Sequence, residues 1–185
     1  YLLVFAFLAC APAPPFIRDL RSIPQEAPRP VSNRLMHERL ISPAYQRMLN
    51  QAYDSLYFAP WRSDTVTVPL EIVSWAFDAY AAMPGWGENR MPRDSAWFAD
   101  LRNRANLASY PDCSIPAITT ERASLRGLPT KKPVFKDFRH PGEGYPFDYA
   151  QVSFLAPNTP VRLVHAVKDR SWFYAVSHVA SGWLP

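Results

Sequence analysis

The apolar positions of the chain fall into two regimes, and the change comes near Tyr110. Before it they recur at spacings of three and four. Tyr45, Met48, Leu49, Ala52, Tyr53 and Leu56 form one such stripe, the pattern of a helix with one apolar face turned to a core. Ser42-Pro43 supplies a start: a hydroxyl N-cap, then a proline whose missing N–H costs nothing in the first turn. Pro60 is expected to stop this helix, because proline clashes with the preceding turn. Ile72, Val73, Ala76, Phe77, Tyr80 and Met83 form a second stripe, starting at Pro69 and ended by Pro84-Gly85. A third helix is expected to start near Pro92, with Trp97, Phe98, Leu101 and Ala105 inward. The stripes read as core, not as the walls of a cofactor pocket. Three short helices gathered around Phe58, Trp61 and Trp75 make a unit of about 75 residues, which is marginal alone and gains from docking on a neighbour.

After Tyr110 the period shortens. Residues 117–121 suit a strand by their β-branched content, Leu128-Pro129-Thr130 turns, and residues 134–138 form a second extended piece. Residues 140–149 are a loop rich in Gly, Pro and aromatics, and Pro157-Asn158-Thr159-Pro160 is a further turn. Val161, Leu163 and His165 alternate with Arg162 and Val164, which predicts a strand with two differently covered faces. Lys168-Asp169-Arg170-Ser171 makes a hairpin turn, Trp172, Tyr174 and Val176 share one face of the next strand, and Gly182-Trp183 gives the last. Five short strands with turns at this spacing predict a small barrel. The fold class is therefore α+β: a small helical N-terminal domain followed by an SH3-like β-barrel.

Composition narrows the function. Hydrophobic residues are 48% and aromatics 14% of the 185 residues, too many for a disordered chain. The 20 prolines are about twice the usual share and fit frequent turns. Twenty basic and 16 acidic residues leave a net charge of +4, and the densest basic pair is Lys131-Lys132, so no nucleic-acid partner is suggested. No histidine or cysteine pair has metal-ligand spacing, and no cofactor motif is present.

The first ten residues, Tyr1 to Cys10, are uniformly apolar and end in Leu8-Ala9-Cys10. They are too short to span a bilayer, which needs about 20 residues. They match the apolar core and small-residue end of a secretory signal, with no initiator Met or basic segment before them. The signal is therefore expected to be truncated. The junction resembles a bacterial lipobox, with Phe7 where leucine is usual, which makes Cys10 the expected lipidation site. Residues 16–30 are polar and proline-studded, and suit an extended tether.

The residues reach a family through their order. Ile118-Thr119-Thr120, residues 125–130 (Leu-Arg-Gly-Leu-Pro-Thr), Pro133-Val134-Phe135, residues 144–151 (Gly-Tyr-Pro-Phe-Asp-Tyr-Ala-Gln), Pro160-Val161, Lys168-Asp169, Trp172 and Gly182-Trp183 closely resemble the first bacterial SH3 domain of NlpC/P60 cell-wall peptidases. Upstream, Ser42-Pro43 and Phe58-Ala59-Pro60-Trp61 are similar to the stabilising domain that precedes it in some members. The resemblance covers residues 33–185. Within it a helical stabilising domain is expected at 33–110 and an SH3b1-type barrel at 111–185, preceded by the truncated signal and lipobox at 1–10 and a proline-rich linker at 11–32.

The resemblance implies an exported, membrane-anchored lipoprotein facing the periplasm or cell envelope. It implies a peptidoglycan endopeptidase of the γ-D-glutamyl-diamino acid type, with stem peptides as substrate and the catalytic domain expected beyond Pro185. This chain would then be the non-catalytic part that stabilises the enzyme and shapes its cleft. The alternative is a stand-alone peptidoglycan-binding SH3 lipoprotein. A third reading takes Cys113 and His165 as nucleophile and base, since Asp112-Cys113-Ser114 imitates the family's catalytic Asp-Cys-Ser-Gly and a thiolate needs a nearby base. It is rejected. Ile115 replaces the glycine, and Pro116 opposes the helix start that would lower the thiol pKa. No catalytic residue is assigned here.

The loop at 140–149 carries the binding candidates Glu143, Tyr145, Asp148 and Tyr149. As a brace, its carboxylates hydrogen-bond the loop to itself. As a site, a carboxylate holds a substrate amine while Tyr145 or Tyr149 packs on the peptide, as the resemblance implies for an acidic and a tyrosine residue of this domain. His140 reads as a solvent-facing turn residue and His165 as a satisfied barrel histidine.

Overall fold

The computed structural model describes residues 41–63 and 68–185; Cys10 and the 11–32 linker lie outside them. Helix α1 (Pro43–Tyr57) starts at the expected proline and buries none of its residues. Tyr45, Met48, Leu49, Tyr53 and Leu56 are all exposed, so the stripe read as core is an open apolar face. Periodicity reports that a face is apolar; it does not say what covers it. α1 ends at Tyr57, ahead of Pro60 as expected, and Pro60 itself lies in the first turn of a separate short helix, α2 (Ala59–Arg62), where a missing N–H is tolerated.

Helix α3 (Leu70–Ala82) buries Val73, Ser74, Ala76 and Phe77, while Ile72 and Met83 at the edges of its stripe are exposed. Trp61 and Trp75, expected at the centre of the helices, are also exposed. Helix α4 (Ser95–Ala105) begins after Asp94, whose carboxylate accepts the Trp97 N–H at 2.7 Å. That cap sets the start later than Pro92. Pro92 instead bridges to Trp86. Phe98, Leu101 and Ala105 of α4 face inward. Among the described residues no helix is long and apolar enough to cross a membrane.

The strands follow: β1 (Ile115–Ile118), β2 (Ala123–Arg126), β3 (Gln151–Leu155), β4 (Pro160–Ala166), β5 (Phe173–Val176) and β6 (Ser181–Leu184). They form one antiparallel sheet in the order β1-β4-β5-β6-β2-β3. The α+β order of helices before sheet is the expected one. The strands differ from the expected set in three places. β2 and β3 were not anticipated, and residues 134–138 do not form a strand. Phe135 only bridges to Trp86, because the Val134 N–H is taken by the Asp148 carboxylate at 3.0 Å instead of by a neighbouring strand.

Residues 43–185 form one compact unit, and its main core is shared by helices and sheet. Val73, Ala76, Phe77, Phe98, Leu101 and Ala105 pack with Leu128, Val164, Trp172, Tyr174 and Trp183. Trp183 is fully buried and meets the rings of Phe77, Tyr174 and His165 edge-on at 6.4, 5.4 and 6.0 Å, the arrangement favoured by the ring quadrupoles. Gly127 makes the close approach possible. A Cβ there would lie 3.0 Å from the Trp75 ring and 3.1 Å from the Ala76 Cβ.

Polar bonds reinforce the junction. Arg162 of β4, 3% exposed, donates to the carbonyls of Pro60 (2.6 Å) and Trp61 (3.0 Å) and to the Ser114 hydroxyl (3.0 Å). It thereby satisfies carbonyls at the end of α2 that have no partner within their helix. The Trp61 indole N–H donates to Ala117 O at 2.8 Å, and the Tyr110 hydroxyl to Val68 O at 2.6 Å.

Candidate functional site

Residues 127–150 leave the sheet between β2 and β3, and they carry all four binding candidates. Gly144, at φ +87°, lies against the Phe138 ring so closely that a Cβ would sit 2.5 Å from it. Only glycine meets both demands. The next peptide bond, Tyr145-Pro146, is cis. Tyr145 is 81% exposed, and Phe147 is exposed beside it.

The two carboxylates of the loop differ in their partners. Asp148 faces the fold. One oxygen accepts the N–H groups of Val134 (3.0 Å) and Ala150 (2.9 Å), and the other accepts from Arg126 at 2.8 Å. Arg126 is itself nearly buried and also donates to Gln151 Oε1 and Lys132 O. A carboxylate so committed holds the base of the loop in place.

Glu143 is about as covered as Asp148, 25% against 19% exposed at the side chain, but its cationic partner is a half-exposed lysine. Glu143 Oε2 accepts the Tyr149 hydroxyl at 2.6 Å, and its Oε1 accepts from Lys136 Nζ at 3.2 Å. Lys136 Nζ also stands 4.4 Å from the centre of the Tyr149 ring. The hydrogen bond from Tyr149 pulls the Glu143 pKa down, and Lys136 adds to it. In return the Lys136 ammonium is pushed up, first by Tyr149 and then by Glu143. Both groups therefore stay charged at neutral pH.

Helix α3 steadies the cluster from below. The Tyr80 hydroxyl donates to Tyr149 O at 2.6 Å, and the Tyr149 N–H donates to Val134 O at 2.9 Å. Burial, followed by the Asp148 charge, pushes the Tyr80 pKa up, so it remains a donor. Tyr80, Trp86, Phe135, Lys136, His140 and Tyr149 line a cavity of about 420 Å³. Tyr149 also borders a shallow depression with Phe147 and Gln151. A larger cavity of about 580 Å³, lined by Thr119, Arg122, Lys131 and Leu184 among others, contains none of the four candidates. Of the four candidates Tyr149 lines the 420 Å³ cavity, and Asp148 and Tyr149 line the depression.

The Glu143 cluster has the chemistry of a cation seat and not that of a general base. A carboxylate held low is a poor base at neutral pH, and the Tyr149 hydroxyl is engaged as a donor. What the cluster offers is a negative charge beside an aromatic face, the chemistry that receives a cation. Among the described residues no group of three or more His, Cys, Asp and Glu is placed to hold a metal ion.

Cys113 and His165 do not form an active pair. Burial, then the Asp112 charge, pushes the Cys113 thiol up to about 11, so it is not a thiolate at neutral pH. It lies just ahead of β1, not at the start of a helix. His165 is fully buried, with Nε2 2.8 Å from Ala105 O and Nδ1 3.2 Å from Asp112 Oδ1. That places it as a strut between α4 and β4. His140, the other histidine singled out, is exposed on the loop.

Sequence reasoning put Glu143, Tyr145, Asp148 and Tyr149 in one loop and left open which tyrosine serves the site; the structure bonds Tyr149 to Glu143. It missed Lys136 and Tyr80. Tyr80 lay in view within the α3 stripe, where it read as core. Lys136 carried no signal, because a lysine seven residues before a glutamate in a Gly/Pro-rich loop has no fixed distance from it.

Comparison with known proteins supplies a context. The family model described as the NLPC_P60 stabilising domain, N-terminal, matches residues 1–110. The one described as an SH3 domain of the SH3b1 type matches residues 133–185. A solved structure, a novel NlpC/P60 endopeptidase from Photobacterium damselae subsp. piscicida, is similar over 84% of this chain, with 27% identity and a TM-score of 0.75. The match covers 38% of that chain, so the present chain spans well under two thirds of that length. No curated protein matches.

Proposed function

The chain belongs to the NlpC/P60 family, with its stabilising domain followed by an SH3 domain of the SH3b1 type, and from that premise we propose that it is the substrate-shaping part of a peptidoglycan endopeptidase. In this reading the enzyme cuts stem peptides between D-glutamate and the diamino acid. The stabilising domain and the SH3 domain frame the cleft, and the 140–149 loop selects peptides with a free amine.

The observation that carries the reading is the Glu143–Tyr149 pair. An ionised carboxylate with one oxygen fixed by a phenol leaves its other oxygen to an exchangeable partner at the surface. A peptide ammonium meeting it makes a charge-assisted hydrogen bond, the stronger kind. Tyr145, exposed at the loop tip with its ring edge-on to Phe135 at 6.4 Å, supplies an aromatic surface for the peptide. Asp148 takes a supporting part, since both its oxygens are engaged within the fold.

The test is calorimetric titration of the chain with L-alanyl-γ-D-glutamyl-diaminopimelate and its N-acetylated form. The free-amine peptide should bind at least about tenfold tighter, the loss expected when a charged hydrogen bond is removed. Glu143→Gln together with Tyr145→Ala should erase the preference. Equal affinity for both peptides in the unaltered chain would refute the reading. Anchoring of the protein in the cell envelope through a lipidated Cys10 belongs to the same proposal. Labelled fatty acid should enter the expressed protein and fail to enter Cys10→Ala; equal labelling would remove that part.

A further inference from the structure

We propose that Lys136 is a built-in competitor for the cation seat formed by Glu143 and Tyr149, so that a ligand's ammonium enters by displacing the Lys136 side chain. This rests on the reading of the loop given above and adds how its site is guarded.

The seat is defined by what now fills it. Lys136 Nζ is 3.2 Å from Glu143 Oε1 and 4.4 Å from the centre of the Tyr149 ring. The Tyr149 hydroxyl fixes the other Glu143 oxygen at 2.6 Å. Carboxylate and aromatic face together recognise an alkylammonium. A ligand's primary amine has the same charge, the same size and the same three donors as the end of a lysine. Whatever holds Lys136 there will hold such an amine equally well.

Lys136 is free to leave. Its side chain is 53% exposed, it sits on a flexible four-carbon stem, and an exposed ion pair is weak and readily exchanged. The cavity of about 420 Å³ that it lines with Tyr80, Trp86 and Phe135 gives the departing side chain a place to go. The cation on the other carboxylate behaves differently. Arg126, 7% exposed at its side chain, is fixed by Asp148, Gln151 and Lys132 and cannot be traded. One loop thus has one permanent cation and one replaceable cation.

Competition of this kind sets a threshold. An acylated amine carries no charge and cannot expel Lys136. A charged amine gains entry only when the rest of its ligand adds contacts with the loop. Lys136 therefore sharpens selection for a free-amine peptide at the expense of affinity.

The test compares the chain with its Lys136→Met and Glu143→Gln variants, titrated with L-alanyl-γ-D-glutamyl-diaminopimelate and the N-acetylated peptide. Lys136→Met keeps an apolar stem on the Tyr149 ring and removes the competing charge. It should bind the free-amine peptide about two- to five-fold tighter, the ratio an exposed ion pair is worth, with the N-acetylated peptide unchanged. Glu143→Gln should lose the free-amine peptide. If Glu143→Gln loses it while Lys136→Met binds as before or more weakly, Lys136 is no competitor, and the loop reading stands. If neither the unaltered chain nor Lys136→Met binds it, both proposals fall. A second readout works on the unaltered chain: the Lys136 side-chain NMR signals should move to free-lysine positions at saturation. Signals that stay in place would overturn the proposal.

Discussion

The junction between helices and sheet and the loop at 136–149 use the same kinds of side chain to opposite ends. At the junction Arg162 is buried and donates to the carbonyls of Pro60 and Trp61, and His165 is closed in between Ala105 and Asp112. On the loop, Lys136 and Glu143 meet at the surface. A charged group taken from water must keep its partner, because losing it leaves an uncompensated charge in a poor solvent. A charged group left in water can change partners at little cost. The junction therefore fixes the frame, and the loop keeps the freedom that binding needs. Asp148 and Glu143, five positions apart in sequence, are covered to a similar degree and differ in their cations, a buried arginine for one and a half-exposed lysine for the other.

The comparison can be broken most severely at the core of the junction. Trp183→Ala should cost about 4 kcal/mol, the usual loss for a large buried aromatic, read as a lower urea midpoint. A loss below about 1 kcal/mol would mean that the helices and sheet are not held together through this ring. Next comes the pair of carboxylates. Asp148→Ala strands the Arg126 guanidinium and two N–H groups, and should cost about 3 kcal/mol. Glu143→Ala should lower the midpoint far less than Asp148→Ala while abolishing amine binding. Equal effects on stability would erase the distinction between brace and site. The smallest change is expected on α1. Leu56→Ser lies on a face that buries nothing, and should shift stability by less than about 0.5 kcal/mol. A larger loss would show that this face is covered.

A pH series sharpens the same contrast. Glu143 is held below its ordinary value of 4.5, chiefly by the Tyr149 hydrogen bond. A depressed carboxylate contributes above its unfolded pKa, and that contribution is lost as pH falls through the folded value. Amine binding should therefore hold at about pH 5 and fade only below 4.5. Binding already lost near pH 6 would point to a different group.

Much of this division was legible in the chain. β4, β5 and β6 announced themselves through alternation and aromatic content, and the turns at 157–160 and 168–171 through their Pro, Asn, Asp and Ser. β3 hid because Val152 and Phe154, its outward residues, are apolar and exposed, which inverts the usual pattern. Residues 134–138 looked like a strand, but Asp148 diverts the Val134 N–H. The α1 stripe was read correctly as amphipathic and wrongly as core, since a sequence shows a face without its partner. In the site, the carboxylates and tyrosines drew notice through the family resemblance, which implies an acidic and a tyrosine residue in this domain. Lys136 did not, because its place depends on the path of a loop turned by Gly144 and the cis Tyr145-Pro146 bond.

The central claim is that binding belongs to the loop and not to the junction. The direct measurement is a titration of the isotope-labelled chain with L-alanyl-γ-D-glutamyl-diaminopimelate, followed by backbone amide NMR. The account predicts shifts that rise with ligand at Lys136, Glu143, Tyr145 and Tyr149, with Arg162, His165 and Trp183 unmoved. Shifts centred on the junction, or on the cavity beside Arg122 and Lys131, would contradict it, as would a spectrum that does not respond.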